Sequence, residues 1–256
     1  MKRLVLALAV AALLAGCGGG EGTDTTDTVI TTPPPLGTTK VSVYWLLEGK
    51  VWPVSREVDE TQAVARAALG ELFRGPTEQE EAELGLSNAI LFSDDSAQVE
   101  RLTVSGGVAT YSPPFTLSDQ QALAQVVYTL TQFPTVDVVE IDGNTYTRAD
   151  FESFTPAILV ESPRFFEEVE NPVRATGTAN TFEATFQYEL TDTDGRIVDE
   201  GFVTATSGSG ERGTFDFTTS EYEIPFDGVG ALFVFELSAE DGSRTNLVEI
   251  PVRMSR

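Results

Sequence analysis

Hydrophobic positions change rhythm near residue 156. Before it they recur at both helical and alternating spacing; after it only short alternating runs remain. Val41-Ser42-Val43-Tyr44-Trp45-Leu46 alternates and then turns wholly apolar, predicting a strand that enters a core. From about Thr61 to Arg74 the pattern is helical. Val64, Ala68 and Leu72 fall four residues apart, and Ala65, Leu69 and Phe73 widen the stripe. Thr61 or Asp59 can cap its start, and Gly75-Pro76 stops it. Thr77-Glu78-Gln79-Glu80 is a capping-box sequence and predicts a short acidic helix.

Val99–Val104 and Gly107–Tyr111 predict a hairpin around Ser105-Gly106-Gly107. Ser118-Asp119-Gln120-Gln121 opens a second long helix with Leu123, Val127 and Leu130 on one face and Val126 and Phe133 beside them; Pro134 ends it. Val136–Ile141 is the next strand, turning at Asp142-Gly143. The order strand, helix, hairpin, helix, strand defines an α+β domain over residues 40–155.

Strands then follow at Val173–Thr178, Glu183–Leu190, Arg196–Ala205, Gly213–Thr218, Ala231–Leu237 and Asn246–Val252, with Asp194-Gly195 and Asp241-Gly242 as turns. This spacing predicts an all-β antiparallel sandwich over 156–256, with the boundary near Thr155-Pro156. Phe182, Phe186, Phe202, Phe215, Phe217, Phe233 and Phe235 are its expected core. Phe165 and Phe166 are adjacent, so one strand face cannot hold both. They are candidates for an interdomain contact or for binding a partner.

The N-terminus adds a different signal. Lys2 and Arg3 precede an apolar run from Leu4 to Leu14, the pattern of a secretory signal and too short for a spanning helix of about 20 residues. Leu14-Ala15-Gly16-Cys17 resembles the bacterial lipobox. That resemblance implies a signal peptide at 1–16, a diacylated Cys17 as first mature residue, and an extracytoplasmic protein held to the outer face of the cell membrane. Residues Gly18–Thr39 are Gly-, Thr- and Pro-rich and read as a disordered tether, so 17–39 is lipid anchor plus spacer.

Charge and composition narrow the chemistry. The chain has a formal charge of −24, and loss of Lys2 and Arg3 would bring it to −26. That field disfavours nucleic acid and polyanionic wall polymers. There is no histidine and one cysteine, which removes a Ser-His-Asp triad, mature-chain disulfides and the usual zinc or copper ligands. No phosphate-binding glycine motif with lysine and no Ser-x-x-Lys spacing occurs. Asp192-Thr193-Asp194-Gly195 has the opening of a calcium loop, but strand residues follow at once and a tight hairpin accounts for it. Glu80, Glu81 and Glu83, and Glu167, Glu168 and Glu170, are acidic runs that read as solvated faces. No catalytic residue, metal or cofactor is assigned.

Two sets of strings carry family resemblances. Pro53-Val54-Ser55-Arg56, Gly75-Pro76-Thr77, Gly85-Leu86 and the run from Leu123 to Pro134 resemble the GerMN domain of sporulation and germination proteins, over roughly Val41–Thr147. Ser162-Pro163, Gly177-Thr178-Ala179, Phe182-Glu183-Ala184, Gly201-Phe202-Val203, Arg212-Gly213-Thr214-Phe215 and Val248–Val252 are similar to the immunoglobulin-like domain of bacterial spore germination. The resemblance implies a non-enzymatic lipoprotein that binds or scaffolds another envelope protein. A cell-wall or small-ligand-binding lipoprotein is the alternative, and a carboxylate-based hydrolase the third.

Overall fold

A computed structural model describes residues 37–90 and 99–256. The lipobox with Cys17, and the tether up to Leu36, lie outside the described residues; the tether's expected end, Thr38 and Thr39, is already strand. The described residues form one compact unit. Among the described residues no helix is long and apolar enough to cross a membrane.

The first half starts with a long hairpin, β1 (Thr38–Leu47) and β2 (Lys50–Asp59), paired from Thr38↔Asp59 to Leu47↔Lys50. Glu48 and Gly49 form its two-residue turn with φ of 52° and 76°. That is the positive-φ pair a tight hairpin needs and glycine supplies cheaply. β2 is not apparent from the sequence. Pro53 argues against a strand interior, and Val51–Val54 are all buried, which erases the alternation that marks a strand.

Helix α1 (Val64–Arg74) buries Ala68, Leu69, Leu72 and Phe73, the stripe read from the sequence. It starts later than expected: Ala63 occupies the cap position, and Thr61 instead accepts the Ala63 N–H at 3.1 Å. Helix α2 (Glu78–Leu84) carries the capping box between Thr77 and Glu80. Strands β3 (Leu102–Ser105) and β4 (Gly107–Tyr111) make the expected hairpin, three residues shorter at its start. Helix α3 (Gln120–Leu130) is capped by Asp119, whose Oδ1 accepts the Ala122 N–H at 2.9 Å, rather than by Ser118. Strands β5 (Val136–Ile141) and β6 (Asn144–Tyr146) follow, and β3-β4-β5-β6 is one sheet.

A 3₁₀ segment, Arg148–Phe154, leads into the second half. There β7 (Ile158–Ser162), β8 (Glu168–Val169), β9 (Arg174–Ala179), β10 (Thr185–Thr191), β11 (Ile197–Thr204), β12 (Gly213–Thr218), β13 (Gly228–Leu237) and β14 (Arg244–Met254) form two sheets. One has order β11-β10-β13-β14-β8 and the other β12-β9-β7. β7 and β8 were not expected. Gly177 lets β9 run close to β7: a Cβ there would lie 2.0 Å from the Leu159 carbonyl oxygen.

The architecture is the α+β domain and sheet-rich second domain that the sequence predicts. Phe186, Phe215 and Phe235 are buried, and Phe217 and Phe233 are half-buried. Phe182 and Phe202 depart from expectation. They are 71% and 76% exposed. Phe202 sits opposite Gln187 on the outward side of β11, and Phe182 lies in the connection before β10. The buried apolar residues of both halves form one continuous cluster.

Candidate functional site

The string from Leu123 to Gln132 does more than fill a core. Every residue of α3 from Ala122 to Leu130 is buried, polar Gln125 and Thr129 included. Gln125, Thr129 and Gln132 are spaced four and three apart, so they share a helix face. That face meets the free edge of β1. Thr129 Oγ1 accepts the Tyr44 N–H at 3.1 Å, and Gln125 Nε2 donates to the Tyr44 carbonyl at 3.1 Å. Gln132 treats Ser42 the same way: Oε1 accepts its N–H at 2.6 Å and Nε2 donates to its carbonyl. Leu46 exchanges both backbone bonds with Ser87, at 2.9 and 2.8 Å. Helix side chains thus stand in for a neighbouring strand, and from Ser42 to Leu46 β1 offers no open edge for strand addition. The polar stripe is present in the sequence as glutamine–threonine–glutamine at helical spacing, but the apolar stripe beside it has the same period and is the stronger signal.

The other side of this layer is the seam with the second domain. Tyr44 donates to Glu161 Oε1, which also accepts from Arg148 Nη1 at 2.7 Å. Arg148 Nε donates to Thr131 Oγ1 at 2.7 Å, and its guanidinium lies 4.7 Å from the centroid of the Tyr128 ring. Burial, with Glu161 beside it, pushes the Tyr44 phenol far up, so it stays a donor. Arg148 gains more from Tyr44 and Glu161 than it loses by burial, and its affinity for its proton rises. Nearby, Arg164 Nε donates to Ser42 Oγ at 2.8 Å. At the domain boundary Arg212 holds Glu152 Oε2 and the Pro156 carbonyl, both at 2.7 Å, and Thr178 at 3.2 Å. Burial works to raise the Glu152 carboxyl, but the Arg212 bond and charge pull it below its usual range.

Of the two roles open to Phe165 and Phe166, the geometry gives Phe165 the interdomain one. It is 9% exposed and packs on Trp52 of β2 with ring centroids 5.9 Å apart. Phe166 is half-buried at positive φ. Its N–H donates to the Pro251 carbonyl at 2.7 Å, and Arg253 lies 6.0 Å from its ring. A partner that needs the Phe165 ring itself would have to part the domains. Beside this contact an open groove of about 500 Å³ runs between the β1–β2 turn and β14.

In the acidic runs Glu81, Glu83, Glu168 and Glu170 are exposed, as expected of solvated faces, while Glu80 and Glu167 take structural roles. Glu80 caps α2 and pairs with Arg56; burial raises its carboxyl, and Arg56 and Thr77 more than reverse this. Glu167 pairs with Arg164 at 3.4 Å. Asp192 accepts the Asp194 and Arg196 N–H groups at 3.0 Å each, and Arg196 Nη2 lies 2.9 Å from its second oxygen, so the Asp-Thr-Asp-Gly stretch is a tied hairpin turn. Among the described residues no cluster of three or more Cys, Asp or Glu could hold a metal ion. Among the same residues, the carboxylates with a shifted pKa all go down, opposite to what a general acid needs.

The layers and the seam define a two-domain protein whose polar side chains hold parts together. Comparison with known families says of what type. Residues 42–147 match the family model described as sporulation and spore germination, and residues 157–243 match the immunoglobulin-like domain of bacterial spore germination. The chain is a spore-germination-type GerMN domain followed by an immunoglobulin-like domain, and these domain types point to a protein-interaction or scaffold role. No curated protein matches it. Among solved structures it is similar to the tandem GerMN domains of the sporulation protein GerM from Bacillus subtilis, at 26% identity and TM-score 0.31, over 41% of this chain and 38% of that one. The chain thus spans less than half of that structure's length. CopC from Methylosinus trichosporium OB3b is 13% identical with TM-score 0.25, over 38% of this chain and 91% of that one. WR4, a C. elegans MSP family member, is 14% identical with TM-score 0.21, over 39% and 96%.

Proposed function

We propose that this protein is a non-enzymatic, lipid-anchored scaffold on the outer face of a bacterial cell membrane, where it binds another envelope protein. The observation that carries the reading is the seam: ionic and aromatic contacts join two interaction-type domains into one presenting body. The anchor is supported by Leu-Ala-Gly-Cys ending at Cys17 after a basic and apolar leader. The absence of histidine from the whole chain and the downward-shifted carboxylates support a binding role over hydrolysis. The strong negative charge favours a protein partner over polyanionic wall polymer.

Fractionating cells that express the wild type and Cys17→Ala tests the anchor. The wild type partitions with membranes and carries an acyl mass on Cys17, and the variant is released or left unprocessed. A processed, membrane-bound Cys17→Ala protein would refute it. Crosslinking in intact cells tests the partner: discrete protein adducts are expected, with background sedimentation on purified sacculi. Saturable sacculus binding without adducts would favour the wall-binding alternative.

A further inference from the structure

The groove beside the Trp52–Phe165 contact exists only because the two domains are packed together. Its apolar side comes from both: Leu47 and Trp52 from the first, Phe165 and Leu247 from the second, with Pro156 between. Leu247 is 51% exposed, so this side stays uncovered. Its polar side is anionic. Glu48 and Glu249 line it, both exposed, and neither carboxylate makes a hydrogen bond or ion pair among the described residues. Lys50 also lines the groove and keeps its charge, but its ammonium is turned to the Ser153 carbonyl at 2.7 Å and acts on Glu152, so the lining sets two carboxylates against one cation. Glu48 also stands at positive φ in a turn where asparagine or glycine would sit with less strain, so the turn itself gives no reason for a glutamate.

We infer that this groove receives a basic, apolar segment of a protein partner: an apolar side chain against Leu47, Trp52 and Leu247, with a lysine or arginine between Glu48 and Glu249. This rests on the scaffold reading and adds the place and chemistry of contact. Charge complementarity selects the occupant. Two carboxylates against one lysine beside an apolar floor, on a chain of charge −24, leave the groove net anionic, which repels anionic ligands and draws cationic ones. A volume of about 500 Å³ takes two or three side chains, and the open side lets the rest of a peptide leave. The seam ion pairs hold the two walls in register before binding, which lowers the ordering cost.

The test uses the full-length chain and a fluorescein-labelled peptide of alternating lysine and leucine. Glutamate–leucine and lysine–serine peptides are the comparisons, and anisotropy is read at low and physiological salt. The inference predicts saturable binding of the lysine–leucine peptide alone, with a change in Trp52 emission. Glu48→Gln with Glu249→Gln should weaken it on the order of fivefold, and Leu247→Ser by a similar factor, whereas Glu183→Gln with Glu200→Gln leaves it unchanged. All five positions are exposed, so folding is not at risk. Equal weakening by both charge pairs, or binding of the lysine–serine peptide as tight as that of lysine–leucine, would show diffuse attraction and overturn the inference. Binding of small hydrophobic amines but not peptides would overturn it in favour of a small-ligand site. A photo-crosslinker at Leu247 or Phe202 in cells separates the two levels. Adducts from Leu247 support the groove, adducts from Phe202 alone end the groove but leave the scaffold reading, and none from either ends both.

Discussion

Phe165 and Phe202 are the same side chain in opposite circumstances. Phe202 lies in a strand whose alternation marked it as core, and it is 76% exposed on the outer side of β11. Phe165 lies in the connection between β7 and β8, where alternation says nothing, and it is buried on Trp52. Alternation reports that a strand has two faces; it does not report which face meets the other sheet. On β11 the inward positions are Gly201 and Val203. Gly201 has no side chain because the Tyr188 ring, whose hydroxyl donates to Asp199 at 2.6 Å, occupies the space a Cβ would take. Phe165 is placed by tertiary contact alone, so its neighbour Trp52, more than a hundred positions away, had to be known first.

The largest effect that sharpens this contrast comes from Phe165→Ala. Truncating a buried aromatic that joins two domains costs about 3 kcal/mol, read as a lower denaturant midpoint. A cost below about 1 kcal/mol would mean that the Trp52–Phe165 contact joins nothing. Next is Arg148→Met, which leaves Glu161 charged, partly buried and facing Tyr44. Removing one member of such a cluster costs about 2 kcal/mol, below the full buried-pair figure because Arg148 and Glu161 keep 26% and 24% exposure. Arg148→Met with Glu161→Gln should recover part of that loss, since no stranded charge remains.

A smaller effect appears with pH. Arg212 lowers the folded-state carboxyl of Glu152 below its unfolded value, so the unfolded chain binds that proton first as pH falls. The contribution is whole above the ordinary glutamate range, near about 4.3, and is lost as pH drops through the lowered value. Arg212→Gln should therefore flatten the acid limb of stability against pH while leaving its shape near neutrality unchanged. An acid limb as steep as the wild type's would remove Glu152–Arg212 from the account. The smallest effect belongs to the other phenylalanine: Phe202→Ser should shift stability by no more than about 0.5 kcal/mol. A loss of 2 kcal/mol would place that ring in a core after all.

Much of the fold was legible because local rules acted alone. The α1 stripe, the Thr77–Glu80 capping box, the Asp142-Gly143 and Asp194-Gly195 turns and most sandwich strands follow from spacing and caps. What stayed hidden was decided by contact. β2 is buried on both faces and carries Pro53, so neither period nor composition marks it. Gln125 and Thr129 look like ordinary polar interruptions until β1 is seen to need partners for its Tyr44 backbone. The seam was foreseen only as one use of Phe165 and Phe166. The arginines that close it, Arg148, Arg164 and Arg212, carry no local signal, because an arginine is placed by the carboxylate or carbonyl it reaches.

Scanning calorimetry of the chain tests most directly whether the seam joins the two domains into one body. Inter-domain contacts are loose by default unless large and apolar. Here the core is continuous from Val41 to Met254 and three arginines cross or brace the boundary. A single endotherm is predicted, with calorimetric and van't Hoff enthalpies that agree, and Phe165→Ala should split it. Two resolved transitions in the unaltered protein would contradict the account.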